Sequence, residues 1–204
     1  MKMKWYRPIP CDCTVDNPLI CDTSNLSQYS LGTFGPHRIE NHFLQGTQIV
    51  NWPDGVYFTT EDKECNGIPD DVLQNAFMIP IFSSRLVELL KSSGIQGFQF
   101  LPIEVFNYDN ESMGSFYIAN CTNMVDAFDY EHSRYTRFPD DWINPEARGT
   151  IICSKYVLRS EALEGLDVFR LEGQRRAYFV SERFVKVFRK HKLTGYSFLR
   201  VELT

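Results

Sequence analysis

FSSRLVELLKSSGIQGFQFLPIEV at residues 82–105 is matched, further along the chain, by VSERFVKVFRKHKLTGYSFLRVEL at residues 180–203. The two stretches align without a gap at an offset of 98 residues, and 7 of the 24 positions are identical. Most of the remaining pairs keep their apolar or polar character. The alignment predicts two copies of one helix–glycine–strand unit, and this unit decides the predicted fold.

A serine, an arginine and a glycine keep their places in both copies. Each serine precedes a series of apolar residues at helical spacing, so its hydroxyl can cap the free amides of the first turn. Each arginine falls on the opposite, solvated side of the helix, and each glycine permits the sharp turn into the strand. Capping, solvation and turn geometry explain these shared positions, which are Ser83 and Ser181, Arg85 and Arg183, and Gly97 and Gly195.

The predicted ends of the two helices differ in one respect. Gly94 suits the left-handed residue that commonly follows a helix, because glycine has no side chain to disfavour that conformation. Lys192, at the matching position of the second copy, departs from this pattern.

The strands that follow, at 98–105 and 196–203, carry apolar residues on both faces, which is typical of central or well-covered strands. Further strands are predicted at 48–50, 56–58, 115–120, 150–154 and 177–180, a short helix or loop at 123–133, and a long surface loop at 134–149. The fold class is therefore α+β, a mixed or mostly antiparallel sheet with the two units packed on it. We divide the chain into a strand-rich, acidic part at 1–69 and a region at 70–204 that holds both copies, together forming one compact domain.

Charge is distributed unevenly along the chain. The net charge of −5 arises within residues 1–80, which hold five basic and ten acidic residues. A nucleic-acid-binding protein needs a basic surface, so this balance argues against that class. It suits a basic protein partner instead. The candidate contact residues are Asp54, Glu61, Asp62, Glu64, Asp70 and Asp71.

No motif in the sequence indicates a catalytic or metal site. The signatures of serine hydrolases, phosphate-binding loops and zinc proteases are not found, and Cys11, Cys13 and Cys21 lack the spacing of zinc ribbons. We therefore predict no metal and no cofactor. A Cys–His or acid–base pair without a local signature stays open, since six cysteines and four histidines are present.

The N-terminal residues MKMKWYRPIP contain basic residues with no apolar segment behind them. This pattern predicts neither a signal peptide nor a membrane span. We therefore expect a cytoplasmic protein with reduced cysteines and no membrane partner.

A block of polar and aromatic residues lies between the two copies. Asp126 and Asp129 are three residues apart, so on a helix they share a face and can orient a ligand or cap a neighbouring helix. The role of the block is left open, and its residues are Tyr117, Asn120, Asp126, Asp129 and Ser133.

Taken in order, these features resemble a known family. Two serine-capped helices that end in glycine–aromatic strands, with Tyr117–Asn120 and Asp126–Ser133 between them, are similar to immunity family eleven, the bacterial immunity proteins of polymorphic toxin systems. The similarity covers residues 70–204. It implies a non-enzymatic protein that binds and neutralises a cognate toxin, with no catalytic residue and no cofactor.

Two other functions stay open on the residues alone. One is a small cytosolic enzyme with an unrecognised Cys–His or acid–base site, which a deep pocket with convergent polar groups would favour. The other is a structural oligomerisation module, which a large apolar interface would favour. The oligomeric state is open as well.

Overall fold

The computed structural model describes residues 3–10, 20–22, 43–60, 69–75, 78–143 and 148–204. Helices α1 (Ser84–Ser92) and α2 (Glu182–Lys190) are accompanied by a 3-10 helix at Ser160–Leu163. These residues form a mixed α+β fold in which strands dominate. The strands are β1 (Trp5–Pro10), β2 (Ile20–Asp22), β3 (Tyr57–Thr60), β4 (Val72–Asn75), β5 (Ile81–Ser83), β6 (Phe98–Phe106), β7 (Ser112–Cys121), β8 (Met124–Val125), β9 (Arg134–Arg137), β10 (Ile151–Lys155), β11 (Val157–Leu158), β12 (Val168–Leu171), β13 (Gln174–Ser181) and β14 (Tyr196–Leu203).

One six-stranded sheet closes on itself. Its strands follow the order β2-β3-β6-β7-β5-β4, and β4 pairs with β2 to complete the ring. The pairings of β3 with β6 and of β4 with β2 are parallel, and the other four are antiparallel. A buried cluster fills the core of this sheet and includes Phe43, Phe58, Ile81, Val105 and Ile118.

The second six-stranded sheet follows the order β11-β14-β1-β13-β12-β8. β11 is parallel to β14 and β12 is parallel to β8, whereas the three inner pairings are antiparallel. Phe128, just after β8, forms an isolated bridge with Leu158 of β11, so the two edges of this sheet approach each other. Its own buried cluster includes Trp5, Phe169 and Phe179.

Strand for strand, the two sheets share one pattern of pairing. Reading from β3 round to β2, and from β11 to β8, gives a parallel pair, three antiparallel pairs and a final parallel pair. The register agrees as well. Phe82 and Val180 occupy matching positions of the two copies, and they pair with Tyr117 of β7 and with Tyr6 of β1. The N-terminal strand β1 therefore completes the second sheet as β7 completes the first.

The helices pack against both sheets through a third buried cluster. The predicted apolar faces are confirmed, since Leu86, Val87 and Leu90 of α1 and Phe184, Val185 and Phe188 of α2 are buried. Side chains from both sheets join them, and the ring of Phe82 lies 6.4 Å from that of Phe184. This cluster is the main apolar contact between the two sheets.

The predicted N-caps are also confirmed. Ser83 Oγ accepts a hydrogen bond from the N–H of Leu86 at 3.1 Å, and Ser181 Oγ accepts one from the N–H of Phe184 at 3.4 Å. Each serine therefore satisfies one of the free amides that a helix start leaves without an intrahelical partner.

The two helices end alike, in spite of their different residues. Gly94 has a φ of +66°, and Lys192 takes the same left-handed conformation with a φ of +50°. The residue after each of them donates its N–H to the carbonyl five positions back, at 3.0 Å. Lys192 departs from the glycine pattern in sequence only, because the same hydrogen bonds close the helix.

The local predictions at 48–50 and 134–137 are wrong, and at 123–133 the loop alternative holds apart from a two-residue strand. Residues 48–50 are not a strand, because the Gln99 side chain donates to the carbonyl of Ile49 at 2.6 Å and accepts from its N–H at 2.9 Å in place of a ladder. Residues 123–133 form β8 and turns without a helix, so Asp126 and Asp129 do not share a helical face. The predicted loop at 134–149 begins with strand β9, which finds its partner in β10.

Strands from the predicted 1–69 part enter both sheets. β2 and β3 belong to the closed sheet, and β1 lies in the middle of the other. The division of the chain at residue 70 stays a prediction.

Candidate functional site

The six acidic residues proposed as partner contacts lie in different surroundings. Asp54 is exposed, Asp70 is half-buried, and Asp71 is only 6% exposed. The other three, Glu61, Asp62 and Glu64, lie outside the described residues. Asp54 and Asp70 are thus the described members that are not buried.

Asp71 is the centre of a hydrogen-bond group that we call the Asp71 clasp. Its Oδ1 accepts from Ser83 Oγ at 2.8 Å, and its Oδ2 accepts from Arg85 Nη1 at 3.2 Å and from the N–H of Thr194 at 3.1 Å. Arg85 Nη2 donates to the carbonyl of His191 at 2.6 Å. The clasp therefore joins the start of α1 to the end of α2.

Asp167 forms the same arrangement in the opposite direction, which we call the Asp167 clasp. Its carboxylate accepts from Ser181 Oγ at 3.0 Å, from Arg183 Nη1 at 3.0 Å and from the N–H of Gln96 at 3.3 Å. Arg183 Nη2 donates to the carbonyl of Ser93 at 3.2 Å. This clasp joins the start of α2 to the end of α1.

The clasps correct the predicted role of the two shared arginines. Arg85 and Arg183 do reach solvent, but each pairs with a buried aspartate and donates to the carbonyl end of the other helix. A cation is favoured at that end because the last carbonyls of a helix carry partial negative charge. Asp71 was predicted as a partner contact and Asp167 was not predicted at all, because the two aspartates lie outside the aligned stretches and 96 rather than 98 positions apart.

The two shared glycines are needed for close packing as well as for turns. A Cβ on Gly97 would lie 2.8 Å from the carbonyl oxygen of Val168, and a Cβ on Gly195 would overlap the carbonyl of Val72. Both have positive φ, of +107° and +95°. Each glycine thus brings one sheet against the backbone of the other.

The block between the copies stabilises loops and strand ends. Asn120 is buried, and its Nδ2 donates to the carbonyl of Thr47 at 2.8 Å. Tyr117 is half-buried on β7, with the Lys91 ammonium 5.8 Å from its ring centroid. Asp126 forms an ion pair with Arg159 at 2.9 Å on the surface.

Asp129 fixes the turn that precedes β9 and ties it to the C-terminal residue. Its Oδ1 accepts from the N–H groups of Glu131 and His132 at 3.0 Å, and its Oδ2 accepts from Thr204 Oγ1 at 3.0 Å. The His132 backbone N–H is the largest cause that holds the pKa of this carboxyl below its usual range. Ser133 Oγ connects the same turn to β11, since it accepts a hydrogen bond from the N–H of Val157 at 3.0 Å.

The thiols of Cys121 and Cys153 are poorly suited to nucleophilic chemistry. Burial raises the pKa of Cys121 to about 11, so it is a neutral thiol at physiological pH. Burial raises the pKa of Cys153 as well. In the part of the chain that the structure describes, no three His, Cys, Asp or Glu side chains are grouped to hold a metal ion.

A cavity of about 230 Å³ lies where β1 and β13 face β4. Tyr178 and Tyr196 form part of its wall, and burial raises the pKa of Tyr196 to about 12 and that of Tyr178 well above its ordinary value. Both hydroxyls are therefore neutral at physiological pH. Arg7 borders the cavity, with its guanidinium 5.3 Å from the Tyr156 ring centroid.

β9 and β10 pair with each other and with neither large sheet. We call residues 134–143 and 148–155 the ribbon. Its inner face packs on the protein, with Ile151 and Cys153 against a core cluster and the ring of Tyr135 5.6 Å from that of Phe128. From the register and the alternation of a strand, the outer face carries Arg134, Thr136, Ile152 and Lys155.

The end of the ribbon holds Trp142 outside the core. Its ring centroid lies 5.3 Å from that of Phe138, and its backbone N–H donates to the carbonyl of Pro139 at 3.1 Å. Arg148 Nε donates to the Trp142 carbonyl at 2.9 Å. The neighbouring Ile143 is 89% exposed.

The comparisons with known proteins point to one family. The model of the immunity protein family Imm11 matches residues 14–202, nearly the whole chain. A search of curated proteins found no match. None of the helices in the described parts of the chain has the length and apolar content needed to cross a bilayer.

Proposed function

Because the chain belongs to the Imm11 immunity protein family, we propose that it neutralises a cognate toxin of a bacterial polymorphic toxin system by binding it. The observation that carries this proposal is the extent of the family match, which includes strands of both sheets and both helices. Binding is stoichiometric and non-enzymatic, and it takes place in the cytoplasm.

The polar interior of the fold supports a binding role. Asp71 and Asp167, the buried carboxylates of the described residues, are occupied by hydrogen bonds and ion pairs that join the helices. They give the protein a rigid frame, and rigid partners lose less conformational entropy on association.

The acidic surface is a candidate contact for a basic toxin. Asp54 is exposed and Asp70 is half-buried, and Glu61, Asp62 and Glu64 follow Asp54 closely in sequence. Acidic inhibitors gain association rate by electrostatic steering of a basic partner. Asp71 has an interior role in the clasp, so we omit it from the charge-reversal test.

That test replaces Asp54, Glu61, Asp62 and Glu64 by lysine and measures the association rate with the toxin at low salt. We expect a slower association and a weaker salt dependence than for the wild type. An unchanged association rate at low salt would remove the acidic surface from the interface.

Neutralisation itself is tested by co-expression with the protein encoded next to this one. A toxin domain from that neighbour should arrest growth when it is expressed alone, and this chain should restore growth. A proven toxic neighbour that is not rescued, and that does not bind the purified chain, would contradict the proposal.

We also propose that the two helix–glycine–strand units are copies of one duplicated unit. The shared order of pairing, the shared register and the reciprocal clasps support this. An experimental structure of a family member with a different register in its two sheets would contradict it.

A further inference from the structure

Exposed apolar side chains are concentrated in the ribbon and in the turn just before it. Eleven large apolar side chains are exposed in the described parts of the chain, and five of them lie between residues 130 and 152. Clusters of exposed apolar side chains mark interaction sites more often than single ones do. Tyr130 precedes the ribbon and Tyr135 lies on its inner face, whereas the outer face and the end carry Trp142, Ile143 and Ile152.

We propose that the outer face and the end of the ribbon are the surface that holds the toxin. This inference rests on the proposed function and assigns a place to it. The ribbon adds no strand to either six-stranded sheet, so its outer face is not needed to build the core. Ile152 on that face is 62% exposed, and Trp142 at the end is 42% exposed.

Trp142 is held ready for binding. Two hydrogen bonds position its backbone and the Phe138 ring packs against its side chain, although it contributes to none of the buried clusters of the described residues. A side chain that is already ordered loses little entropy when a partner covers it. Tryptophan is also among the residues that most often dominate the binding energy of an interface.

The charges of the outer face point to the chemistry of the partner. Arg134 and Lys155 are direct neighbours across the ladder, an arrangement of like charges that weakens a pair of strands. Lys155 is paired with Glu202 at 2.8 Å, whereas Arg134 forms no ion pair with any described residue. A carboxylate of the partner, placed beside Arg134, would relieve this repulsion.

The surface therefore fits a toxin domain that has an apolar depression and, at a distance from it, a carboxylate. The depression takes Trp142 and Ile143, and the carboxylate faces Arg134 at the other end of the outer face. The ribbon and the acidic surface contribute differently to binding. Anchors of the ribbon that are buried in the complex mainly set the dissociation rate, whereas the peripheral charges of the acidic surface mainly set the association rate.

The experiment measures association and dissociation rates of the purified full chain on the immobilised toxin domain of the neighbouring protein. Two variants change the ribbon, Trp142→Ala at its end and Arg134→Glu on its outer face. We expect Trp142→Ala to weaken binding at least about 30-fold, mainly through faster dissociation, as for a central interface anchor. Arg134→Glu should weaken it about 10-fold or more, since it places two carboxylates in contact.

Matched controls exclude a general effect of surface changes. Tyr108 is 57% exposed in the turn between β6 and β7, and Tyr108→Ala should bind like the wild type. Arg200 is exposed on β14 without an ion pair to the described residues, and Arg200→Glu controls for the charge reversal. All four variants change exposed side chains, so none should lower the thermal midpoint by more than a few degrees. Arg134→Glu should be at least as stable as the wild type, because it places opposite charges across the ladder from Lys155.

The outcomes separate this inference from the proposed function. If the wild type binds the toxin and both ribbon variants bind equally well, the ribbon is not the interface, and the proposed function stands. Losses confined to Trp142→Ala and Arg134→Glu support the inference, and equal losses in the controls overturn it. If the wild type neither binds the toxin nor restores growth, the proposed function fails and the inference fails with it.

Discussion

The guanidinium of Arg85 donates a hydrogen bond to the backbone carbonyl of His191 at 2.6 Å, across 106 residues of sequence. The other terminal nitrogen of Arg85, Nη1, forms an ion pair with the buried carboxylate of Asp71. Arg183 repeats both contacts towards α1. Two contacts related in this way fix the relative position of the helices, and with them the two sheets.

Loss of the Asp71 charge should destabilise the protein. Asp71→Asn keeps the shape of the side chain but weakens the hydrogen bonds from Ser83, Arg85 and Thr194. We expect a loss of about 1–3 kcal/mol in the free energy of unfolding, the range for hydrogen bonds to a charged group. Denaturant titration measures it. Asp126→Asn, which breaks an exposed ion pair, is the control and should cost less than about 1 kcal/mol; equal losses in the two variants would contradict the role of the clasp.

A methyl group on Gly195 should disturb the contact between the sheets. Gly195→Ala forces a Cβ into the backbone of Val72, whereas Gly173→Ala has nothing within 4 Å although its φ is also positive, at +74°. Both changes strain the backbone by about 1–2 kcal/mol, and overpacking adds about 1–3 kcal/mol at Gly195 only. Equal unfolding free energies for the two variants would show that the close approach carries no energetic weight.

Replacement of Lys192 by glycine should stabilise the end of α2. Lysine at a φ of +50° is strained, and Lys192→Gly removes about 1 kcal/mol of that strain. Part of this gain is offset because glycine is more flexible in the unfolded chain. We expect a small rise in thermal midpoint, and a fall would indicate that the lysine side chain makes a compensating contact.

Acid should release the turn that Asp129 holds. The folded state lowers the pKa of this carboxyl, so its stabilising effect is present above the unfolded pKa of about 4 and is lost as pH falls through the folded value. Asp129→Asn should therefore lower stability at pH 7 and reduce the loss of stability between pH 4 and pH 2. An unfolding free energy with the same pH dependence in this region as the wild type would exclude the effect.

Local features of the fold were predictable because each depends on residues close in sequence. Ser83 and Ser181 lie three residues from the amides that they cap, and the apolar spacing of the helices names their buried faces. The prediction failed at 48–50, where the side chain of Gln99, about fifty residues away, replaces the strand ladder. It also failed at 134–137, where a strand depends on its partner β10.

The sequence by itself determined the helices, their caps, the turn glycines and the resemblance to the immunity family, since these rest on spacing within a few residues or on residue order. Only the tertiary structure decided that β1 completes the second sheet, that Asp71 and Asp167 clasp opposite helices, and that Trp142 and Ile152 remain outside the core. The partners in the sheet and clasp contacts lie far apart in the chain. Which distant groups meet is settled by the packing of whole sheets, a property that no local pattern of residues encodes.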